Sequence, residues 1–171
     1  MNTLIISSSL SNESKSFLLC KAVEEELTIK NTNCTLIDLR KMHIQACHLG
    51  ITKDMQLLTE IINKTDNIII GMGVHCYSFN DSLKIVLDNC FNGATEKFFG
   101  IVCAAGGEKS YLSTMHLTQI CMNEWRMIQL PRIVYATKKD FINNNINSED
   151  LIKRIHKFTN EFYKIGKKLI T

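Results

Sequence analysis

The chain has 171 residues, 45% of them hydrophobic and 22% charged, the balance of one globular domain over residues 1–171; disorder, collagen-like repeats and a long coiled coil are excluded. The 20 Lys plus Arg against 17 Asp plus Glu give a formal net charge of +3, too small to make nucleic acid the default partner. No apolar stretch reaches the length of a membrane span, and the 7 cysteines form no CxxC pair or Cys/His quartet, so free thiols in a reducing cytoplasm are expected.

Short apolar runs at 3–6, 34–37, 67–70, 98–103 and 132–135 alternate with longer stretches of helical periodicity. This alternation predicts an α/β fold: a parallel sheet with helices on both faces. The run Ile68-Ile69-Ile70 is apolar on both sides, which suits the central strand. Helical spacing recurs in Phe17, Leu18, Ala22, Val23 and Leu27, in Met55, Leu58, Ile61 and Ile62, and in Leu83, Val86, Leu87 and Cys90. The clearest helix carries Leu151, Ile155, Phe158, Phe162, Ile165 and Leu169, with Asn147 or Ser148 as its N-cap and Glu149 and Asp150 in its first turn.

Ligands of such open sheets bind beyond the carboxyl ends of the strands. After the first run stands Ser7-Ser8-Ser9-Leu10-Ser11-Asn12-Glu13-Ser14-Lys15-Ser16, a hydroxyl-rich stretch entering a helix. Free backbone N–H groups and hydroxyls there suit a phosphate, whereas GxxxxGK[ST] and GxGxxG are absent; a plain capping turn at Ser11 or Ser14 is the alternative. After the third run comes Gly71-Met72-Gly73-Val74-His75-Cys76-Tyr77-Ser78-Phe79-Asn80-Asp81, whose flexible backbone and aromatic residue suit a planar heterocycle. After the fourth, Ala104-Ala105-Gly106-Gly107 allows close backbone approach.

Together these loops resemble the NADPH-dependent FMN reductase family of flavodoxin-like proteins. The family's Gly-Ser-Leu-Arg-x-x-Ser is similar to Ser8-Ser9-Leu10-Ser11-Asn12-Glu13-Ser14, and its Pro-Val-Tyr-Asn-x-Ser-x-Pro-Gly-x-Leu-Lys-x-x-x-Asp to the stretch from Gly73 to Lys84 and on to Asp88. Ser9, Leu10, Ser14, Val74, Ser78, Leu83, Lys84 and Asp88 fit; Ser8, Ser11, Gly73, His75, Cys76, Asn80 and Asp81 depart. Serine in place of arginine at position 11 removes one charge-assisted phosphate contact.

The resemblance implies a three-layer fold around a five-stranded parallel sheet of order 2-1-3-4-5. It implies FMN as cofactor and NADPH or NADH as co-substrate, with hydride passing to the flavin and on to a small acceptor such as a quinone. Ser9, Ser11, Ser14, Lys15 and Ser16 would hold the phosphate; Gly73, Val74, His75, Cys76, Tyr77 and Ser78 would line the ring; Ala105, Gly106 and Gly107 would approach it. No acid-base dyad is required and no residue is assigned as catalytic. A homodimer or homotetramer is the implied assembly.

His43, Cys47 and His48 lack a fourth ligand for zinc, and one cysteine there does not suit a cluster. His116 and Trp125 are expected to serve packing or subunit contact. A flavodoxin-type electron carrier and a relative that has lost flavin are the rival readings. Such carriers are usually acidic, so the net charge of +3 favours the enzyme.

Overall fold

The computed structural model describes residues 1–170. The strands in chain order are β1 (Asn2–Ser7), β2 (Asn33–Asp38), β3 (Asn67–His75), β4 (Ser78–Phe79), β5 (Phe98–Ala104), β6 (Ile128–Gln129), β7 (Val134–Ala136), β8 (Phe141–Ile142) and β9 (Asn145–Ile146). The helices are α1 (Lys15–Ile29), α2 (Lys53–Lys64), α3 (Asp81–Cys90), α4 (Thr114–Trp125) and α5 (Glu149–Leu169).

β3 is central. It pairs in parallel with β1 on one side and β5 on the other; β2 extends the sheet beyond β1, and β6 and β7 complete the far edge on β5. This is the expected flavodoxin-like order, with the fifth strand built from β6 and β7. The sequence places that strand at 132–135, but the ladder is interrupted around Pro131, which has no N–H to contribute, and resumes at Val134. The other departure concerns 71–79: β3 runs on through Gly71, Met72 and Gly73 and folds back in a hairpin with β4, where the sequence suggested an irregular loop.

The triple isoleucine explains the layering. Along a strand alternate residues face opposite ways. Ile68 and Ile70 join a core with Leu4, Ile6 and Ile101 beneath α2, α3 and α4, while Ile69 joins Ile5, Val102 and Val134 beneath α1 and α5. Each buried aliphatic side chain contributes on the order of 1.5–3 kcal/mol. Helix α5 covers its face with Leu151, Ile155, Phe158 and Phe162, all buried, and the Ser148 hydroxyl accepts from the Leu151 N–H at 3.1 Å to cap it. Beneath Phe158 lies Gly100, whose missing Cβ would stand 2.6 Å from that ring's Cζ. The register of β5 therefore depends on glycine at that position.

The rest of the chain turns tightly. Thr137 and Asp140 form a reciprocal cap, and Arg154 of α5 donates to Asp140 and to the Tyr135 carbonyl, fixing the segment that leaves β7. The Asn143–Asn144 pair is the turn of the β8–β9 hairpin, and both residues have positive φ. Asparagine tolerates that conformation better than most residues.

Candidate functional site

The carboxyl ends of β1, β3 and β5 lie side by side, as the pairings Ser7↔Gly71 and Gly71↔Val102 require. The three loops singled out in the sequence therefore open on one edge of the sheet.

The first loop enters α1 through Ser14, whose Oγ accepts from the Phe17 N–H at 3.1 Å. Ser14 is thus the cap that the sequence offered as one of two choices. Ser14 and Ser16 are both buried and their hydroxyls meet at 3.1 Å, so these two serines shape the helix start from within. Ser9 is half-buried and Ser11 is exposed, its N–H directed to Ser9 Oγ at 3.3 Å. The backbone N–H groups of Ser9, Leu10 and Asn12 make no hydrogen bond among the described residues, which leaves open donors in the loop that leads into α1. Lys15 turns toward the β8–β9 hairpin, donating to Asn144 Oδ1 with its ammonium 5.7 Å from the Phe141 ring centre.

A cation that the sequence reading did not connect with this loop is Arg40. Its guanidinium pairs with Asp38 at 2.6 Å, stacks 4.3 Å from the Phe17 ring centre and donates to the Asn12 carbonyl at 3.2 Å. The hydrogen bonds to Asp38 raise its pKa above the ordinary guanidinium value, with burial opposing. Arg40 thus ties the loop between β1 and α1 to the end of β2.

The second loop is the hairpin of β3 and β4, with pairs Val74↔Phe79 and His75↔Ser78. Cys76 and Tyr77 form its turn at φ of 48° and 59°, the left-handed conformation of a type I′ turn. Val74 and Ser78 are half-buried, while His75, Cys76 and Tyr77 stand in solvent. His116, read from sequence as a packing or subunit-contact residue, reaches the hairpin from α4, its Nδ1 3.1 Å from Ser78 Oγ. Trp125 does pack, tilted on Phe91 with ring centres 5.4 Å apart. Ser8 and Asn80, two of the positions that depart from the family pattern, lie in contact, with Oγ and Oδ1 2.9 Å apart.

In the third loop Ala105 is half-buried and donates to the Ala136 carbonyl at 2.9 Å. A Cβ added at Gly106 or Gly107 would meet nothing within 4 Å, so the space beside this backbone is open. The Tyr135 hydroxyl holds the turn by donating to the Gly107 carbonyl at 2.7 Å; partial burial raises its pKa, with the Ser110 hydroxyl opposing. Next to it Lys139 pairs with Glu108 and depresses that carboxyl below its usual range. A cleft of about 440 Å³ runs between Tyr77, Gly107, Lys109, Ser110, Thr137 and Lys138.

These features fit a flavin mononucleotide: open backbone donors for a phosphate, an aromatic hairpin, and a glycine turn with free space along it. His43, Cys47 and His48 lie elsewhere, on the segment between β2 and α2; Thr52 donates to the His43 carbonyl, and His43 N–H to Asp54. Among the described residues no three His, Cys, Asp or Glu side chains converge as a metal site.

Comparison with solved structures gives the same architecture. An NAD(P)H:(acceptor) oxidoreductase, FerB, from Paracoccus denitrificans superposes with a TM-score of 0.80 at 13% identity over 98% of this chain and 97% of its own. An oxidoreductase from Corynebacterium diphtheriae gives 0.77 at 17% identity over 98% and 97%. The apo form of the NADH:FMN oxidoreductase EmoB gives 0.80 at 13% over 96% and 89%. At such identities the likeness establishes the fold. A sequence comparison with curated proteins gives no match. The model of the NADPH-dependent FMN reductase family, however, matches residues 1–141, from β1 through all three loops to β8. The chain belongs to the NADPH-dependent FMN reductase family, and is an NAD(P)H-dependent flavin oxidoreductase with FMN as its cofactor.

Proposed function

We propose that this protein passes reducing equivalents from a nicotinamide nucleotide through FMN to a small diffusible acceptor of the quinone class. The observation that carries the reading is the convergence of an open-donor loop, an aromatic hairpin and a glycine turn at the ends of β1, β3 and β5. When bound, the flavin ring supplies the two-electron chemistry, and the protein binds and orients it.

In this reading the loop carrying Ser9 and Ser11, with Ser14, Lys15 and Ser16 at the helix start, holds the phosphate. Ser14 and Ser16 act by setting the path of the backbone donors, because their hydroxyls face each other. The arm of Gly73, Val74, His75, Cys76, Tyr77 and Ser78 borders the ring, and Ala105, Gly106 and Gly107 close its other side. Exposed Tyr77 offers a face for stacking. Lys109 and Lys138 at the cleft mouth give it a basic rim suited to an anionic nucleotide.

The protein acts as a homodimer or homotetramer in the cytoplasm. Exposed apolar side chains on and before α4, among them Tyr111, Leu112, Met115 and Met122, support self-association. The free cysteines suit a reducing compartment.

The test is to purify the protein with added FMN and follow NADPH oxidation with and without a soluble quinone. Flavin-dependent oxidation accelerated by the quinone is the expected result. Absence of flavin-dependent oxidation overturns the proposal, and turnover only with a separate reductase makes the protein a carrier.

A further inference from the structure

Asn80 precedes α3 and is 1% exposed, yet its side chain accepts no capping hydrogen bond from that helix's backbone. Its amide instead makes three hydrogen bonds to Gly73, Ser8 and Ser82 and faces the Ser8 hydroxyl as a fourth polar neighbour. Oδ1 accepts from the Gly73 N–H at 3.0 Å and lies 2.9 Å from Ser8 Oγ; Nδ2 donates to the Ser8 carbonyl at 3.0 Å and to Ser82 Oγ at 2.7 Å. Only one amide orientation satisfies these contacts. Rotated by half a turn, its NH₂ would face the Gly73 N–H and its oxygen would face the Ser8 carbonyl.

Ser8 is held from three sides. Its N–H donates to the Gly71 carbonyl at 3.0 Å, its Oγ lies 2.7 Å from the same carbonyl, and its own carbonyl accepts from Asn80 and, at 2.6 Å, from Ser82 Oγ. The single Ser8 hydroxyl proton is shared between the Gly71 carbonyl and Asn80 Oδ1; buried and densely connected, such a polar network is stiff, and it fixes one arrangement of the segments it joins.

Those segments meet the cofactor at different ends. Ser8 immediately precedes the loop with open N–H donors, and Gly73 begins the hairpin arm. On the flavin reading above, we propose that Asn80 is a positioning residue which fixes the separation between the phosphate loop at 9–13 and the ring hairpin at 73–78. One FMN molecule then meets both without either having to reorganise. Its two ends reinforce each other as linked ligands do, because holding one places the other at high effective concentration. Cutting the clamp removes that reinforcement even where each loop survives.

Riboflavin lacks the phosphate, so the ratio of its Kd to that of FMN isolates the contribution of the first loop. Both constants are measured by quenching of flavin fluorescence on flavin-free protein for the wild type, Asn80→Ala and Ser8→Ala, with the thermal midpoint of each recorded alongside. In the wild type FMN binds more tightly than riboflavin. The expected result is that Asn80→Ala shrinks the ratio about tenfold, the scale of one or two lost hydrogen bonds, and Ser8→Ala, which keeps the backbone contacts of residue 8, shrinks it about threefold. Lower midpoints with an unchanged ratio overturn the inference and leave Asn80 a stability residue only. A wild type that binds neither flavin overturns the flavin reading as well. If Asn80→Ala does not fold, Ser8→Ala decides.

Discussion

The Tyr135 hydroxyl donates to the Gly107 carbonyl at 2.7 Å, so the last strand of the sheet secures the glycine turn that follows β5. Ser110 Oγ lies 3.0 Å from the same hydroxyl, and the Tyr111 ring meets Tyr135 edge-on at 5.2 Å. Removing the hydroxyl leaves the rings in place and frees the turn. Tyr135→Phe is expected to cost about 1 kcal/mol in urea unfolding. Burial raises the pKa of Tyr135 in the folded state, so its contribution is complete below the unfolded phenol value and is lost as pH rises through the folded one. The stability gap between wild type and variant should therefore be flat through neutral pH and narrow in strong alkali. A gap that opens with rising pH would contradict the assignment.

The turn at Cys76 and Tyr77 has the backbone of an Asn-Gly turn without either residue. A non-glycine side chain in the left-handed region costs roughly 1–2 kcal/mol. The double variant Cys76→Asn/Tyr77→Gly should gain about 1–2 kcal/mol in stability on that account. It should also lose flavin affinity, because the aromatic face is gone. Strain retained at a ligand site is a common trade of stability for function. Denaturation and flavin titration on the same preparation check both halves, and a variant that gains affinity refutes the role given to Tyr77.

Gly71 and Cys20 share one space. A Cβ at Gly71 would lie 2.2 Å from Cys20 Sγ and 3.2 Å from the Ile6 carbonyl oxygen. Gly71→Ala should destabilise by about 1–3 kcal/mol through overpacking. Adding Cys20→Ala removes the sulfur but leaves the carbonyl, so the double variant should recover part of the loss. Additive effects in the double-mutant cycle would show that the two do not compete.

The cysteines divide by accessibility. Cys47 and Cys76 are exposed, whereas Cys20, Cys90, Cys103 and Cys121 are buried and Cys34 is half-buried. Burial pushes the thiols of Cys103 and Cys121 up to about 12 and that of Cys34 to about 11. A chromogenic disulfide reagent at neutral pH should therefore modify Cys47 and Cys76 rapidly, Cys34 slowly, and the four buried thiols only on unfolding. Cys76→Ser should remove one rapid equivalent, and FMN should slow the other variant, Cys47→Ser, if the hairpin borders the ring.

The sheet was legible because its information is local and repeated: apolar runs, helical stripes, and the Ser148 cap ahead of Glu149 and Asp150. The loops were legible as a set, since their placement follows from strand ends. Their internal geometry was not. The Cys76–Tyr77 turn carries none of the glycine or asparagine that marks its conformation, so nothing in the residues announces a hairpin. Arg40 reaches Asn12 across 28 positions of sequence, and Asn80 reaches Ser8 across 72. Such contacts are created by the fold. Pro131, in contrast, was a readable warning that the last strand would be broken.

Helix α5 has a consequence for how the molecule comes into being. The family match ends at residue 141, yet Leu151, Ile155, Phe158 and Phe162 form much of the core on one side of the sheet. While the chain is being made, that side of β1, β3 and β5 can be covered by α1 but lacks α5 until residues 149–169 leave the ribosome. The loops after β1, β3 and β5 are all made before α5, so the sheet that carries them gains its second helical cover on that face only after every one of them exists.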